Sequence, residues 1–427
     1  MITQKEYKKR RDILAKKLSK NSIGIIFSST YKTRSNDTDY PYRQDSNFYY
    51  LTGFKEDNSA LVFVKTKNET KTVLFVQKKD AQLELWTGKR MGKKKAKKRF
   101  LVDEVFVSDD LQKRLEKYVV GKKTLYCDLS SKDKRVKRFL KQSSAIKTQK
   151  NIIHFIQEMR LIKSPSEINL IKKAISITKD AHHSVMKSKK IGKKEYELLA
   201  QIEYEFKSKG AYSDAYTSIV AGGNNANTLH YIKNNKPLID KELILIDAGS
   251  EYKHYASDIT RTIPVNGKFT SSQKKLYKLV LDTQLEIISM IKPHVKRSDL
   301  QKKAEELLTK GMIKLGILKG NYKKLIKKQK HKKYYPHGIG HWMGLDVHDP
   351  APYINYDDKE IPLDKGMVLT IEPGLYIDKN DKSVPKKYRG IGIRIEDNIL
   401  VTKDGYENLS KDIVKTIKEI ESISFKS

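Results

Sequence analysis

Three histidines and two aspartates lie close together in the segment His337–Asp349, which reads HGIGHWMGLDVHD. His337, His341 and His348 are three of the ten histidines in the chain. An imidazole can ligate a metal ion, transfer a proton near neutral pH or donate a hydrogen bond to a substrate. His337 and His341 have the four-residue spacing of a helical metal-binding pair, but the glycines beside them disfavour a helix. Both imidazoles therefore need not bind metal.

Four acidic residues occur within or just after apolar segments that are typical of strands. They are Asp247 in LILIDAG, Asp258 in ASDITRT, Glu372 in VLTIEPG and Glu396 in IRIEDN. Pairing of two adjacent antiparallel strands would place Asp247 and Asp258 side by side on one face. A charged side chain in an apolar setting is costly unless it is paired or bound to metal. One such acid alone is typical of a structural ion pair.

Four such acids together predict a centre with two divalent metal ions. Clustered carboxylates repel one another unless cations neutralise them, and two divalent ions balance four carboxylates. Oxygen donors with a single imidazole suit Mn²⁺, Fe²⁺ or Co²⁺ better than a structural zinc site. Two-metal sites also make hydroxide available as a nucleophile near neutral pH. The acids and one histidine therefore predict a hydrolytic dinuclear site.

Residues 1–160 are predicted to form an α/β domain with a mixed sheet. Apolar runs between turn residues fit buried strands, and after a first helix we expect strands at SIGIIFSS, NFYYLTG, ALVFVK, KTVLFVQ and TLYCDLS. SDDLQKRLEKYV is predicted to be a helix. Pro165 indicates a domain boundary, and Ser164 or Ser166 together with Glu167 indicates the start of a helix there.

Residues 161–427 are predicted to form a second domain of the α+β class. Two helices precede strands, and this order then repeats. The predicted helices are 166–188, 194–209, 271–292, 298–315 and a last one near 410–422. The predicted strands are TSIVAGG, LILIDAG, ASDITRTIPV, MVLTIEPGLYI and GIGIRIEDNILVT. The repeated order predicts an internal pseudo-twofold, although no sequence repeat accompanies it.

The chain is strongly basic, with 87 Lys and Arg against 51 Asp and Glu and a net charge of +36. The runs GKRMGKKKAKKRF and KKLIKKQKHKK would attract phosphates without specificity. Neither run has the interleaved aromatic residues of a single-strand platform, and no known nucleic-acid motif occurs. We therefore interpret the runs as solvated surface and expect no specific nucleic-acid partner.

Cysteine content and hydropathy indicate a cytoplasmic protein. Cys127 is the one cysteine, so no internal disulfide can form, which fits a reducing compartment. The segment MITQKEYKKRRDILAKKLSK has the pattern of a polar amphipathic helix without an apolar signal region. No apolar run approaches the length of a membrane span, so we expect no membrane partner.

The motifs, taken in order, resemble the aminopeptidase P (Xaa-Pro aminopeptidase) family of pita-bread metallopeptidases, and the resemblance covers nearly the whole chain. YPYRQDSNFYYLTGF and WTGKRMG resemble its N-terminal domain. Its catalytic motifs are matched by NTLHY, IDAG, SDITRT, HGIGHWMGLDVHD, TIEPGLY and GIGIRIEDN. The resemblance implies a creatinase-like α/β domain over residues 1–160 and a pita-bread catalytic domain over residues 161–427.

The resemblance also implies a set of five metal ligands. Asp247 would chelate one ion, Asp258 and Glu396 would bridge both, and Glu372 would bind the ion held by His341. Of the metals that suit these donors, we expect two Mn²⁺ ions.

Further residues receive roles from the same resemblance. His337 and Arg394 would line a proline pocket, with Tyr376 close by. His348 would hydrogen-bond the substrate and the developing oxyanion, and His230 would contact the tetrahedral intermediate from the other side.

Trp86 and Glu372 have further implied roles. A tryptophan from the region of Trp86 can cap the active site of a neighbouring subunit in the family, although an exposed or packed Trp86 fits equally well. Glu372 would take a proton from the metal-bridging hydroxide and pass it to the proline nitrogen.

The predicted activity is hydrolysis of the bond between an N-terminal residue and a following proline, in a homo-oligomer that is a dimer or tetramer. One alternative is a prolidase, which takes Xaa-Pro dipeptides; Trp342 and YPYRQDSNFYY resemble aminopeptidase P more closely. A creatinase-like protein would lack the metal ligands. The net charge motivates another class, a pita-bread protein that binds nucleic acid, but the intact ligand set counts against it.

Overall fold

The computed structural model describes residues 1–424. The chain divides into two compact units, Met1–Arg160 and Leu161–Ser427. Residues 425–427, which the sequence analysis assigns to the second domain, lie outside the described residues. Within the described residues, no helix combines the length and the apolar character that crossing a membrane requires.

The first unit contains a mixed six-stranded sheet, a separate two-stranded sheet, and helices. The helices are α1 Gln4–Lys17, α2 Ser46–Thr52, α3 Ala81–Thr87, α4 Gly92–Arg99, α5 Leu111–Tyr118, α6 Lys134–Gln142 and α7 Ile153–Leu161. The strands are β1 Ser22–Phe27, β2 Thr33–Ser35, β3 Thr38–Asp39, β4 Ala60–Lys65, β5 Thr70–Val76, β6 Glu104–Val107, β7 Thr124–Cys127 and β8 Thr148–Asn151. The strand order of the six-stranded sheet is β6-β5-β4-β1-β7-β8, with β4 antiparallel to β1 and to β5 and the remaining pairs parallel. The two-stranded sheet consists of β2 and β3.

The prediction of a strand at NFYYLTG is wrong, because this segment forms α2. Asp45 caps the helix by accepting a hydrogen bond from the amide of Phe48, and Gly53 ends it in the left-handed conformation. Nearly every side chain of α2 is buried. A short apolar run has no periodicity that separates a buried strand from a buried helix, so only the caps could have decided between them.

The second unit contains the remaining elements. Its helices are α8 Pro165–Lys187, α9 Glu195–Ser208, α10 Ser271–Ser289, α11 Arg297–Lys314, α12 Tyr322–Lys327 and α13 Ile417–Ile423. Its strands are β9 Ser213–Asp214, β10 Ile219–Gly222, β11 Leu243–Asp247, β12 Ser250–Tyr252, β13 Tyr255–Ala256, β14 Thr260–Pro264, β15 Val368–Ile371, β16 Gly374–Ile377, β17 Ile391–Arg394, β18 Asp397–Val401 and β19 Tyr406–Asn408.

The second unit repeats one arrangement, in which two helices precede paired antiparallel strands. Helices α8 and α9 precede the sheet β10-β11-β14, while α10 and α11 precede the pairs β15-β18 and β16-β17. Ser164 and Glu167 form a reciprocal capping box at the start of α8, with Pro165 in its first turn, as the sequence predicts. The apolar faces of these helices and strands form one large buried cluster.

Candidate metal centre

The four candidate acids lie at strand ends, and each half of the second unit supplies two of them. Asp247 is the last residue of β11, and Asp258 lies just before β14, which pairs with β11 in antiparallel fashion. Glu372 follows β15 directly, and Glu396 lies between β17 and β18. Asp258 is therefore outside the strand in which the sequence analysis placed it, although it remains beside Asp247.

The ligand atoms of these acids and His341 converge. In the group Asp247, Asp258 and Glu396, and again in the group His341, Glu372 and Glu396, the ligand atoms lie within 4.8 Å of one another. Glu396 belongs to both groups. Nε2 of His341 lies 3.3 Å from Oδ2 of Asp258 and 3.7 Å from Oε1 of Glu372. The site thus has the layout of two neighbouring cation positions with shared acids.

A close backbone approach positions His341 beside Glu372. The amide of Thr370 donates to the carbonyl of His341 at 2.9 Å, and the amide of Glu372 donates to the carbonyl of Ile339 at 2.9 Å. A Cβ on Gly340 would lie 1.9 Å from the carbonyl oxygen of Thr370, so this approach requires glycine. The extended loop before β15 therefore lies against β15, which rules out the helical pairing of His337 with His341.

The tautomer of His341 fits a metal ligand. Its Nδ1 lies 3.0 Å from the carbonyl oxygen of Trp342, and because a carbonyl can only accept, Nδ1 carries the proton. The lone pair of Nε2 in the neutral ring then faces carboxylate oxygens of Asp258 and Glu372. Facing lone pairs are stabilised by a cation between them, which is a proton on Nε2 where no metal ion is bound. Although burial alone lowers the pKa of His341, the hydrogen bond and charge of Asp258 raise it to about 9.

The positive charge near Asp247, Glu372 and Glu396 is too small to stabilise all three as carboxylates. Burial raises the pKa of Glu372 to about 7, and burial with the neighbouring acids raises the pKa of Glu396 well above its ordinary range. Burial also raises the pKa of Asp247, despite its ion pair with Arg394. Divalent cations would supply the missing charge, and these oxygen and imidazole donors fit them.

His337, Tyr376 and Arg394 form a chain of hydrogen bonds beside the acids. Nη1 of Arg394 donates to the hydroxyl of Tyr376 at 3.0 Å, and that hydroxyl lies 2.8 Å from Nε2 of His337. Nδ1 of His337 lies 2.8 Å from the carbonyl of Gly338 and therefore carries the proton. Burial, and next the charge of Arg394, lower the pKa of His337 to about 4, so its ring is neutral.

The other two candidate histidines, His230 and His348, line a cavity that also contains the candidate ligands and has a volume of about 450 Å³. His348 has its ring centroid 4.2 Å from that of His341. His230 is exposed in the segment after β10. The cavity wall also includes Arg394, His337 and the five candidate ligands. Trp86 belongs to the first unit, where it is 82% exposed on α3.

Several residues that hydrogen-bond the acids, or the backbone next to them, were not predicted from the sequence. The hydroxyl of Tyr216 donates to Asp247, and that of Thr260 donates to Glu396 at 2.7 Å. Gln284, which is fully buried in α10, donates to the carbonyls of Ile371 and Ile395, the residues that precede Glu372 and Glu396. In the sequence, Gln284 could have been noticed only as a polar residue on the apolar face of a predicted helix.

Comparison with known proteins gives consistent matches along the chain. The model of metallopeptidase family M24 matches residues 169–403, and that of the aminopeptidase P N-terminal domain matches residues 7–126. The Xaa-Pro aminopeptidase of Haemophilus influenzae is 40% identical over 425 residues, covering 99% of this chain and 97% of that protein. That of Escherichia coli is 39% identical over 434 residues, covering 99% and 98%.

A solved structure agrees with these matches. Zinc-substituted Escherichia coli aminopeptidase P in complex with product superposes with a TM-score of 0.95 at 38% identity, covering 99% of this chain and 98% of that chain. This likeness confirms the predicted fold, an α/β N-terminal domain followed by a pita-bread catalytic domain. The chain belongs to metallopeptidase family M24.

Proposed function

We propose that this chain is a metal-dependent aminopeptidase that hydrolyses the bond between an N-terminal residue and a following proline. The observation that carries the proposal is one cavity that holds the five candidate ligands beside His337 and Arg394. Relatives that are named Xaa-Pro aminopeptidase and match nearly the full chain support the same activity.

The donor groups divide into two sets around the shared acids. Asp247 would hold one ion, His341 and Glu372 the other, and Asp258 with Glu396 would contact both. Oxygen donors with one imidazole favour Mn²⁺ among the candidate metals. When bound, the two ions supply an activated water as nucleophile near neutral pH and polarise the carbonyl that it attacks.

Glu372 is proposed to move the proton. Asp247, Asp258 and Glu396 are buried, whereas Glu372 is partly exposed to the cavity. Its carboxylate would take a proton from the attacking water and deliver it to the proline nitrogen, which must be protonated to leave as an amine.

Two histidines are proposed to hydrogen-bond the substrate. His348 and His230 both open onto the cavity that contains Glu372. The proposed roles are donation to the carbonyl oxygen that becomes negative during the attack, with His348 also holding the substrate. Such donors stabilise the transition state more than the ground state.

His337, Tyr376 and Arg394 are proposed to form the wall that receives the proline ring. Their hydrogen-bond chain fixes the orientation of each side chain before substrate arrives. The nitrogen of the bond to be cut is proline's own ring nitrogen, a tertiary amide without a hydrogen to donate, so recognition depends on the shape of the ring. A preformed wall suits that requirement.

Trp86 is proposed to act in a homo-oligomer, a dimer or tetramer, by capping the site of a neighbouring copy. Leu85 and Trp86 are 83% and 82% exposed on α3, which supports burial of this face against another molecule. Light scattering coupled to size exclusion tests the assembly, and a monomer would contradict it. We further propose a cytoplasmic location, because one cysteine permits no internal disulfide.

The experiment that tests the activity is a panel of Xaa-Pro, Xaa-Pro-Ala and Xaa-Ala-Ala peptides with metal-loaded protein. Fastest cleavage of Xaa-Pro-Ala supports the proposal. If the dipeptide has the highest kcat/KM, the chain is a prolidase instead.

A further inference from the structure

The segment that carries His230 is held by one buried carboxylate, that of Glu195 at the start of α9. Glu195 has no exposed surface, and each of its oxygens accepts two hydrogen bonds. The donors to Oε1 are the amide of Gly222 and Nδ2 of Asn225, each at 2.8 Å. The donors to Oε2 are the hydroxyl of Tyr231 at 2.8 Å and the amide of Lys236 at 2.9 Å.

These four donors come from both sides of His230 in the chain. Gly222 and Asn225 precede it, while Tyr231 and Lys236 follow it. The amide of Glu195 also donates to the carbonyl of Lys236 at 2.9 Å. The two ends of the histidine segment are therefore fastened to a single point on α9.

The partners of Glu195 are all neutral. No lysine, arginine or histidine in the described part of the chain forms an ion pair with it. A buried charge without a counter-ion is tolerated where its hydrogen bonds are complete, and a carboxylate accepts about four. Each of the four donors thus contributes to stabilising the buried charge.

The imidazole of His230 depends on this anchor for its position. Within residues 1–424 its side chain makes no hydrogen bond, and it is exposed on the wall of the cavity. Its placement therefore comes from the backbone on either side.

We propose that Glu195 is a positioning residue for His230: it fixes the backbone that aims this imidazole at the substrate carbonyl. The inference rests on the proposed function and on the role given there to His230.

The main test combines Glu195→Gln with His230→Ala. A carboxamide places an NH₂ where one oxygen now meets two donors, so the hydrogen bond from a backbone amide, that of Gly222 or of Lys236, is lost with little change in volume. Displacing a group by roughly 1 Å can cost about 10²-fold, and we expect kcat to fall by about that factor with KM little changed. In the His230→Ala background, the same substitution should have an effect within about threefold, because its target is gone. Metal content should stay that of the unsubstituted protein.

A second variant and a second measurement guard against misfolding. Tyr231→Phe removes one of the four donors and should lower kcat in the same direction by a smaller factor. Hydrogen exchange should accelerate at the amides of Gly222 and Lys236 in both variants. Glu167→Gln is the matched control, since Glu167 is also a buried carboxylate in the first turn of a helix and accepts from the hydroxyl of Tyr255 at 2.9 Å. It should lower stability with kcat retained.

Two outcomes overturn the inference. One is an equal loss of kcat from Glu195→Gln with and without His230; the other is full kcat despite faster exchange at Gly222 and Lys236. If the unsubstituted protein cleaves none of the Xaa-Pro peptides, the proposed function fails instead. Exchange then still tests the anchor, because unchanged protection in Glu195→Gln would show that Glu195 does not hold the segment.

Discussion

Nδ1 of His341 donates to the carbonyl of Trp342 at 3.0 Å, which turns Nε2 toward Asp258 at 3.3 Å. This hydrogen bond fixes the tautomer that His341 would need as a metal ligand, with Nδ1 protonated and Nε2 free to bind. His341 faces both Asp258 and Glu372. His348 has a ring nitrogen within 4.8 Å of ligand atoms of Asp258 and His341, but it is not grouped with Glu372.

The first prediction separates a ligand from a substrate-binding group. His341→Ala should lower metal content, because it removes the imidazole that is proposed as a metal ligand. His348→Ala should retain metal and lower kcat by about 10²–10³, the size of losing one oxyanion donor. Metal analysis and steady-state kinetics on both variants decide. Loss of metal from His348→Ala would show that the two roles are assigned wrongly.

The second prediction concerns metal dependence. Removal of metal by a chelator should abolish peptidase activity, and Mn²⁺ should restore it best. Asp258→Asn should nearly abolish turnover, since Asp258 is proposed to contact both ions and lies beside Asp247, Glu396 and His341. Elemental analysis with activity measurements provides the check. Full activity in metal-free protein would exclude the two-metal site.

The third prediction concerns the proline ring. Substitution of alanine for proline at the second position should nearly abolish cleavage, because the wall of His337, Tyr376 and Arg394 is left unfilled. The comparison is kcat/KM for Xaa-Pro-Ala and Xaa-Ala-Ala. Equal values for the two peptides would exclude proline recognition by this wall.

The fourth prediction concerns the net charge of +36. Binding to nucleic acid should be independent of sequence and lost by about 0.2 M salt, because the lysines form no motif that reads bases. Fluorescence anisotropy with unrelated oligonucleotides at two salt concentrations measures this. Tight, sequence-selective binding that persists at the higher salt would support a nucleic-acid-binding function instead.

The fifth prediction concerns the buried ion pair of Lys163 and Asp349. Nζ of Lys163 lies 3.0 Å from Oδ2 of Asp349, and each side chain is 1% exposed. Lys163→Met should lower the free energy of unfolding by about 3–5 kcal/mol, because it removes the buried cation that faces the Asp349 carboxylate. The control Lys278→Met breaks an exposed pair with Asp282 and should change it by less than about 1 kcal/mol. Urea unfolding measures both, and equal effects would contradict the prediction.

The sequence by itself determined the order of elements in the second unit and the residue types of the site. Helices are recognisable from caps such as Ser164 with Pro165, and acids that end apolar strands are unusual enough to indicate metal. The strand predicted at NFYYLTG is wrong because an apolar run fits either kind of buried element, and Asp45 with Gly53 selects the helix.

Only the tertiary structure decided how these residues are held. Glu195 and Gln284 belong to no motif, yet Glu195 anchors the segment of His230, and Gln284 joins the backbone before Glu372 to that before Glu396. The direction of Nε2 of His341 likewise depends on the hydrogen bonds between the backbone of residues 339–341 and β15 with the residue after it. Sequence patterns report local periodicity and capping, whereas these contacts join distant segments through single hydrogen bonds. Such contacts exist only once the strands are paired, so the chain order alone does not display them.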